Sequence, residues 1–122
     1  MSELATYVGI EHRTEICSVD IARGLRCVLN SSGQLALAGL AARGDYMTLT
    51  DGKSGEPVAV ASMSGGGKVP AVASETVAIG DLAYSVANGQ TSKTVTSAVL
   101  VGRWTQPSTV GVLGEVELFP VA

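Results

Sequence analysis

Apolar and polar residues alternate with a period of two in several short segments of this chain. Five such segments are of strand length: 25–30 (LRCVLN), 46–50 (YMTLT), 58–62 (VAVAS), 82–86 (LAYSV) and 115–119 (EVELF). Alternation of this kind turns one face of a strand toward a core and the other toward solvent. The pattern therefore predicts β-strands and an all-β fold.

Turn signals that combine Gly with Asn, Asp or Ser separate these strands: 30–33 (NSSG), 50–57 (TDGKSGEP), 64–67 (SGGG) and 87–90 (ANGQ). Such residues adopt the backbone conformations of tight hairpins. Segment 35–44 (LALAGLAARG) has a helix-favouring composition, but Gly39 and Gly44 shorten it, so we expect at most one short helical turn. The chain is predicted to be a small antiparallel β-barrel or sandwich built of hairpins.

One internal similarity accompanies the hairpin pattern. Segment 24–34 (GLRCVLNSSGQ) aligns without gaps on segment 80–90 (GDLAYSVANGQ), and segment 44–53 is a looser third copy. No regular period links the three. Two interpretations remain open, because unrelated hairpins resemble one another and a short-range duplication gives the same pattern.

The glycine run that ends at Lys68 invites comparison with a phosphate-binding loop. That loop requires a glycine at the position of Ser62 and a hydroxyl residue at the position of Val69. Because both requirements fail, we expect no nucleotide site. The run stands between the strand 58–62 and the strand-like segment 69–73 (VPAVA), where a hairpin tip is predicted.

Composition limits the class of protein. The 122 residues fit one domain, and a hydrophobic fraction of 46% with only 4% aromatic residues favours β-sheet packing by small and β-branched side chains. Charged residues make up 16%, against a usual value of about 25%, which suggests a surface committed to partners. With a net charge of -3 and no cluster of Lys and Arg, direct nucleic-acid binding is not expected.

The first residues show no secretory signal, and nowhere do about 18 apolar residues run together. We therefore expect a protein made and kept in a cytoplasm, without membrane contact.

No catalytic, cofactor-binding or metal-binding residue is predicted. His12 is the only histidine and lacks a nucleophile motif nearby, no serine lies in Gly-x-Ser-x-Gly, and Cys17 and Cys27 lack further ligands. We expect the two cysteines to be reduced and half-buried. The tripeptide Arg-Gly-Asp at 43–45 is interpreted as a loop that enters the strand 46–50.

Few large aromatic side chains are available to anchor an interface. Most of them should fill the core, whereas Trp104, which follows Arg103 and precedes the turn TQPST, is expected to be partly exposed.

Segments 77–94 (VAIGDLAYSVANGQTSKT) and 97–121 (SAVLVGRWTQPSTVGVLGEVELFPV) resemble the small decoration, or cement, proteins that stabilise the heads of tailed bacteriophages. The shared features are Gly-Asp-x-Ala-Tyr, a glycine turn, a Val-Gly strand, a glycine loop and an alternating last strand. Segment 18–39 (SVDIARGLRCVLNSSGQLALAG) is similar to the opening of the same family. The resemblance covers the chain from about Ile16 onward.

This resemblance implies a non-enzymatic virion protein that binds the outer surface of the major capsid protein lattice and reinforces the head. It implies a homotrimer first, with a dimer as the alternative, assembled in the host cytoplasm and not secreted. Repetition around a shell strengthens weak contacts through avidity.

Residues 1–15 match the family least well. We expect them to form an extended arm that orders on the capsid or on a neighbouring subunit, ahead of a single β domain at 16–122. The candidate contacts to the capsid or between subunits are Tyr7, Ile10, His12, Arg13 and Trp104.

Two other function classes compete with this interpretation. A β-rich module that recognises carbohydrate or a host surface would be favoured by Trp104 and a tyrosine lying coplanar and exposed. A small hydrolase inside a β-barrel would need a nucleophile with its base, for which no motif is present.

Overall fold

A computed structural model describes residues 12–120 of the chain. In this range ten β-strands form two antiparallel sheets of five strands, and the one helical element is a 3-10 turn at Ala87–Gly89. The strands are β1 His12–Ile16, β2 Arg26–Leu29, β3 Leu35–Leu37, β4 Tyr46–Thr48, β5 Pro57–Ser62, β6 Gly67–Val72, β7 Leu82–Ser85, β8 Thr91–Ser92, β9 Leu100–Gln106 and β10 Leu113–Leu118. The predicted all-β class is confirmed.

The two sheets have the same topology. Their strand orders are β1-β5-β4-β2-β3 and β6-β10-β9-β7-β8, which become identical when each label of the first sheet is raised by five. An offset of 56 residues places Arg26 on Leu82 and Pro57 on Leu113, the first residues of matching strands. We call residues 12–64 repeat 1 and residues 68–120 repeat 2.

Isolated bridges outside the strands follow the same offset. The parallel bridge between Cys17 and Leu35 recurs between Ala73 and Thr91, and the antiparallel bridge between Ile21 and Gly52 recurs between Val77 and Ser108. In each repeat, the parallel bridge joins the chain just after one edge strand to the opposite edge strand of the same sheet. Each sheet is therefore strongly curled, and one bridge rather than a full ladder connects its two edges.

The similarity between segments 24–34 and 80–90 is one part of this repeat. Gly24 and Gly80 have φ angles of 83° and 93°, and Gly33 and Gly89 have φ angles of 78° and 72°, so the matching glycines occupy equivalent left-handed positions. The looser copy at 44–53 has no such counterpart. Only eight pairs are identical across the aligned ranges: Ser18/Ser74, Ala22/Ala78, Gly24/Gly80, Gly33/Gly89, Gln34/Gln90, Ala42/Ala98, Gly55/Gly111 and Val60/Val116.

The glycine run connects the repeats and does not form the tip of a hairpin. β5 ends at Ser62 in the first sheet, and β6 begins at Gly67 in the second. The predicted turn is present, with left-handed φ angles of 75° at Gly66 and 87° at Gly67. The predicted hairpin is wrong, because alternation and glycine content show where strands end but do not show with which strand each one pairs.

Two clusters of buried apolar residues stabilise the fold. One lies within repeat 1 and contains Cys17, Ile21, Cys27, Leu35, Val58 and Val60. The other combines most of the core of repeat 2 with four residues of repeat 1: Met47, Leu49, Ala61 and Met63. The second cluster therefore also forms the contact between the repeats.

Equivalent core positions are filled by side chains of very different size. Trp104 of repeat 2 takes the position of Thr48, while Gly114 takes the position of Val58. A methyl group added at Gly114 would lie 2.9 Å from Cζ3 of Trp104. The large indole and the missing side chain compensate each other, so one backbone plan accommodates two different cores.

Arg26 joins the two repeats from a fully buried position. Its guanidinium donates to the carbonyl oxygens of Val86 and Gln90 in repeat 2, the latter at 2.9 Å, and to those of Ala42 and Arg43 in repeat 1, at 2.5 and 3.1 Å. Burial lowers the pKa of Arg26 to about 10, so the group remains protonated at neutral pH. A buried cation is tolerated here because four carbonyl oxygens surround it.

Arg43 makes a second connection of the same kind. Its guanidinium donates to Leu100 O at 3.0 Å and to Phe119 O in repeat 2. It also donates to Met63 O at 2.7 Å in the crossover, which is the segment 63–66 that connects the repeats. The Arg-Gly-Asp tripeptide is thus part of the framework, and it leads directly into β4 as predicted.

We expect Gly114→Ala to lower the free energy of unfolding by about 1–3 kcal/mol, because the added methyl group meets the buried indole of Trp104. Gly39→Ala is the matched control, since a methyl group there meets nothing within 4 Å, and stability should be unchanged or rise by less than about 1 kcal/mol. Chemical denaturation measures both. Equal stability of the two variants would contradict the packing described for repeat 2.

Arg26→Met should lower the free energy of unfolding by about 3 kcal/mol or more, because buried carbonyl oxygens lose a charged donor. Arg103→Met removes an exposed guanidinium that lies 5.8 Å from the ring centre of Phe119, and should cost less than about 1 kcal/mol. Denaturant midpoints that coincide for the two variants would show that Arg26 does not join the repeats.

Candidate functional site

A surface cleft of about 680 Å³ lies at one end of repeat 1, between the segments 20–25 and 51–56. Its three carboxylates each accept a backbone N–H: Asp20 from Ser54 at 2.9 Å, Asp51 from Arg23 at 2.7 Å and Glu56 from Lys53 at 3.0 Å. Such bonds hold loops in shape. Across residues 12–120 no group of three or more His, Cys, Asp or Glu side chains is arranged to hold a metal ion.

The corresponding end of repeat 2 has the opposite character. Residues 76–80 (TVAIG) and 107–113 (PSTVGVL) contain no charged side chain, and the carboxylate of the adjoining Asp81 accepts the backbone N–H of Ala78 at 2.8 Å. Ile79 and Val110 are each 69% exposed and Val112 is 50% exposed, at the positions where repeat 1 has Arg23, Ser54 and Glu56. We call these two segments the apolar end.

The two loops of the apolar end are held together by backbone hydrogen bonds. Val77 and Ser108 exchange N–H to carbonyl bonds of 3.0 and 3.2 Å. Large apolar side chains concentrated at one exposed site are typical of an interaction surface. The sequence signal for this surface is a set of apolar residues beside turn glycines, as in VAIGD and STVGVLG, and it resembles the ordinary end of a strand.

The sequence-predicted contacts near the N-terminus are partly within the described range. His12 and Arg13 lie in β1, an edge strand that pairs with β5, so residues 12–15 of the predicted arm belong to the first sheet. Arg13 is exposed, forms an ion pair with Glu15 at 3.2 Å and lies 5.4 Å from the ring centre of Tyr46. Tyr7 and Ile10 lie outside the described residues.

Trp104 is completely buried, so its predicted partial exposure is wrong. The indole occupies the core of repeat 2, and its N–H donates to the carbonyl oxygen of Ser92 at 3.1 Å. The reason is the compensation with Gly114, which makes room for the largest side chain of the protein. Trp104 is therefore not available as a surface contact of this chain.

Both cysteines are free thiols and fully buried, deeper than the half-buried positions expected for them. Burial raises the pKa of Cys27 to about 12, and the nearby Cys17 adds to this shift. Burial also raises the pKa of Cys17. Because the thiolate is the reactive form, these two groups act as small apolar core residues.

None of the helical structure in residues 12–120 is long and apolar enough to cross a membrane.

No family model and no curated protein matches the chain. Among solved structures, it is similar to the head fiber gp8.5 N base of bacteriophage phi29, with a TM-score of 0.68 and 15% sequence identity. The match covers 90% of this chain and 94% of that one. The resemblance to bacteriophage head proteins seen in the sequence is thus confirmed at the level of the fold: the two-sheet architecture described above is shared with the base of a phage head fiber.

Proposed function

We propose that this chain is a structural virion protein of a tailed bacteriophage that decorates the outer surface of the head. The observation that carries the proposal is the shared fold, since nearly the whole chain matches nearly the whole base of a phage head fiber. The proposed partner is the major capsid protein, and the proposed effect of binding is to stabilise the shell. The sequence resemblance to head-stabilising proteins supports the same role.

The chemistry of the described surface also supports binding rather than catalysis. The carboxylates of the charged cleft are engaged with backbone N–H groups, and the apolar end offers Ile79, Val110 and Val112 to a partner. A decoration protein needs surface complementarity, and repetition over a shell converts weak single contacts into firm attachment. The role we propose is non-enzymatic.

We further propose Val110 and Val112 of the apolar end as a capsid contact, with the N-terminal arm as a second contact to the capsid or to a neighbouring subunit. The arm would carry Tyr7 and Ile10, and it would join the domain at the exposed edge strand that holds His12 and Arg13. A homotrimer is the first choice for the assembled state, and a dimer is the alternative. Assembly on the head would take place in the host cytoplasm.

A carbohydrate- or host-surface-binding module receives no comparable support. Its expected signature was an exposed platform formed by Trp104 and a tyrosine, and Trp104 is buried.

Purified protein should co-sediment with expanded capsids that lack it, and binding should saturate at a fixed ratio to capsid subunits. Val110→Asp should weaken this binding about tenfold or more, because a charge would be buried against the capsid. Ser64→Asp, which adds the same charge at an exposed position of the crossover, should bind like the unchanged protein.

Two outcomes would overturn these proposals. Absence of binding to the cognate expanded shell would remove the decoration role. Saturable binding that Val110→Asp leaves unchanged would retain that role and remove the apolar end as its contact.

A further inference from the structure

The face through which repeat 1 contacts repeat 2 has a counterpart in repeat 2. In repeat 1 this face includes Arg26, Met47 and Ala61, all of which are fully buried. The matching residues of repeat 2 are Leu82, Arg103 and Glu117, and all three are exposed. We call this surface of repeat 2 the open face, and it also includes Ile79, the counterpart of Arg23.

Repeat 2 covers the face of repeat 1 with the edge strand β6 and the segments next to it. Val72 N donates to Gly24 O at 3.0 Å. A methyl group added at Gly89 would lie 2.6 Å from Arg26 O, and one added at Gly24 would lie 2.5 Å from Leu113. Gly89 is therefore buried against repeat 1 and Val72 is half-buried, whereas Leu113 contacts Gly24 while remaining 41% exposed.

The positions in repeat 1 that match this covering surface are exposed. Ile16, the counterpart of Val72, is 36% exposed, and Pro57, the counterpart of Leu113, is also exposed. A methyl group added at Gly33, the counterpart of Gly89, would meet nothing within 4 Å. We call Ile16, Gly33 and Pro57 the free edge.

We propose that the free edge of one chain docks on the open face of a second copy, in the arrangement by which repeat 2 packs on repeat 1 within a chain. Such a contact joins two different surfaces, so it is head-to-tail and closes into a ring when the rotation permits. Three chains joined in this way form a ring of six structurally similar units. The inference does not depend on capsid binding, because it concerns contacts between copies of this chain.

The two surfaces match in chemistry. Ile79 and Leu82 offer exposed apolar area on the open face, and Ile16 and Pro57 offer it on the free edge.

Charges of both signs are present on each side. Arg103 and Glu117 lie opposite each other on β9 and β10 in the open face, and Arg13 and Glu15 form an ion pair on β1 next to the free edge. The buried cation of the internal contact has no counterpart, because Leu82 takes the place of Arg26. The contact between chains is therefore weaker than the contact within a chain, and it depends on concentration.

The first experiment measures solution mass by light scattering and analytical ultracentrifugation over a range of concentrations. The unchanged protein should reach at least twice the mass of one chain. Ile79→Asp should raise the dissociation constant of self-association about tenfold or more, since a charge replaces an apolar side chain that the contact between chains would bury. Val110→Asp is the matched control, because Val110 is equally exposed and its counterpart Ser54 is exposed and hydrogen-bonds to Asp20 and Ser18 of its own repeat. The self-association of this variant should be unchanged.

The second experiment tests the geometry with a short bismaleimide cross-linker. The counterparts within one chain, Arg23 and Leu113, line the same small cleft. The double variant Ile79→Cys with Pro57→Cys should therefore give covalent oligomers, whereas Val110→Cys with Pro57→Cys should give none. The native Cys17 and Cys27 are buried and do not compete for the reagent.

A protein that stays monomeric at every concentration overturns the inference. Oligomers that are unaffected by Ile79→Asp and are not cross-linked through Ile79 and Pro57 overturn it as well. Neither result bears on the decoration role, because capsid co-sedimentation is measured separately. Conversely, self-association through these residues without capsid binding would support the inference and remove the decoration role.

Discussion

The buried guanidinium of Arg26 can be satisfied only when both repeats are in place. Two of its carbonyl partners, those of Ala42 and Arg43, belong to repeat 1, and the other two, those of Val86 and Gln90, belong to repeat 2. A charge removed from water carries a large free-energy cost unless its hydrogen bonds are replaced. This requirement fixes the position of one sheet relative to the other, and the shared apolar cluster fills the space around it.

The two repeats show how one backbone plan supports different surfaces. Strand order, bridges and left-handed glycines coincide at an offset of 56 residues, while the side chains coincide at very few positions. One end of repeat 1 is a charged cleft whose carboxylates organise their own loops, whereas the same end of repeat 2 exposes mainly apolar side chains and has Asp81 as its one carboxylate. The differences between the repeats, rather than their common fold, therefore determine where a partner can bind.

Much of the fold could be predicted from residue patterns, because alternation and turn glycines report local structure directly. All five alternating segments became strands, and the Arg-Gly-Asp loop leads into β4 as expected. Pairing is a long-range property, so the crossover at 63–66 was mistaken for a hairpin.

The full extent of the repeat and the burial of Trp104 were not predicted, for related reasons. The matching residues are mostly small or turn-forming, and the space for the indole comes from Gly114, ten positions further along. The apolar end was missed because valine beside a turn glycine reads as the end of a strand. Such features become visible only when three-dimensional neighbours are known.

The dissimilar cores have a consequence for folding. A tandem chain with two copies of one topology can exchange equivalent strands between its halves, which is a known failure of repeat proteins. If β5 took the place of β10, Val58 would replace Gly114 beside Trp104, where even a methyl group lies within 2.9 Å of the ring. If β10 took the place of β5, Gly114 would leave a void in the cluster that contains Cys17, Ile21 and Leu35. Sequence divergence between the repeats thus makes strand exchange energetically unfavourable.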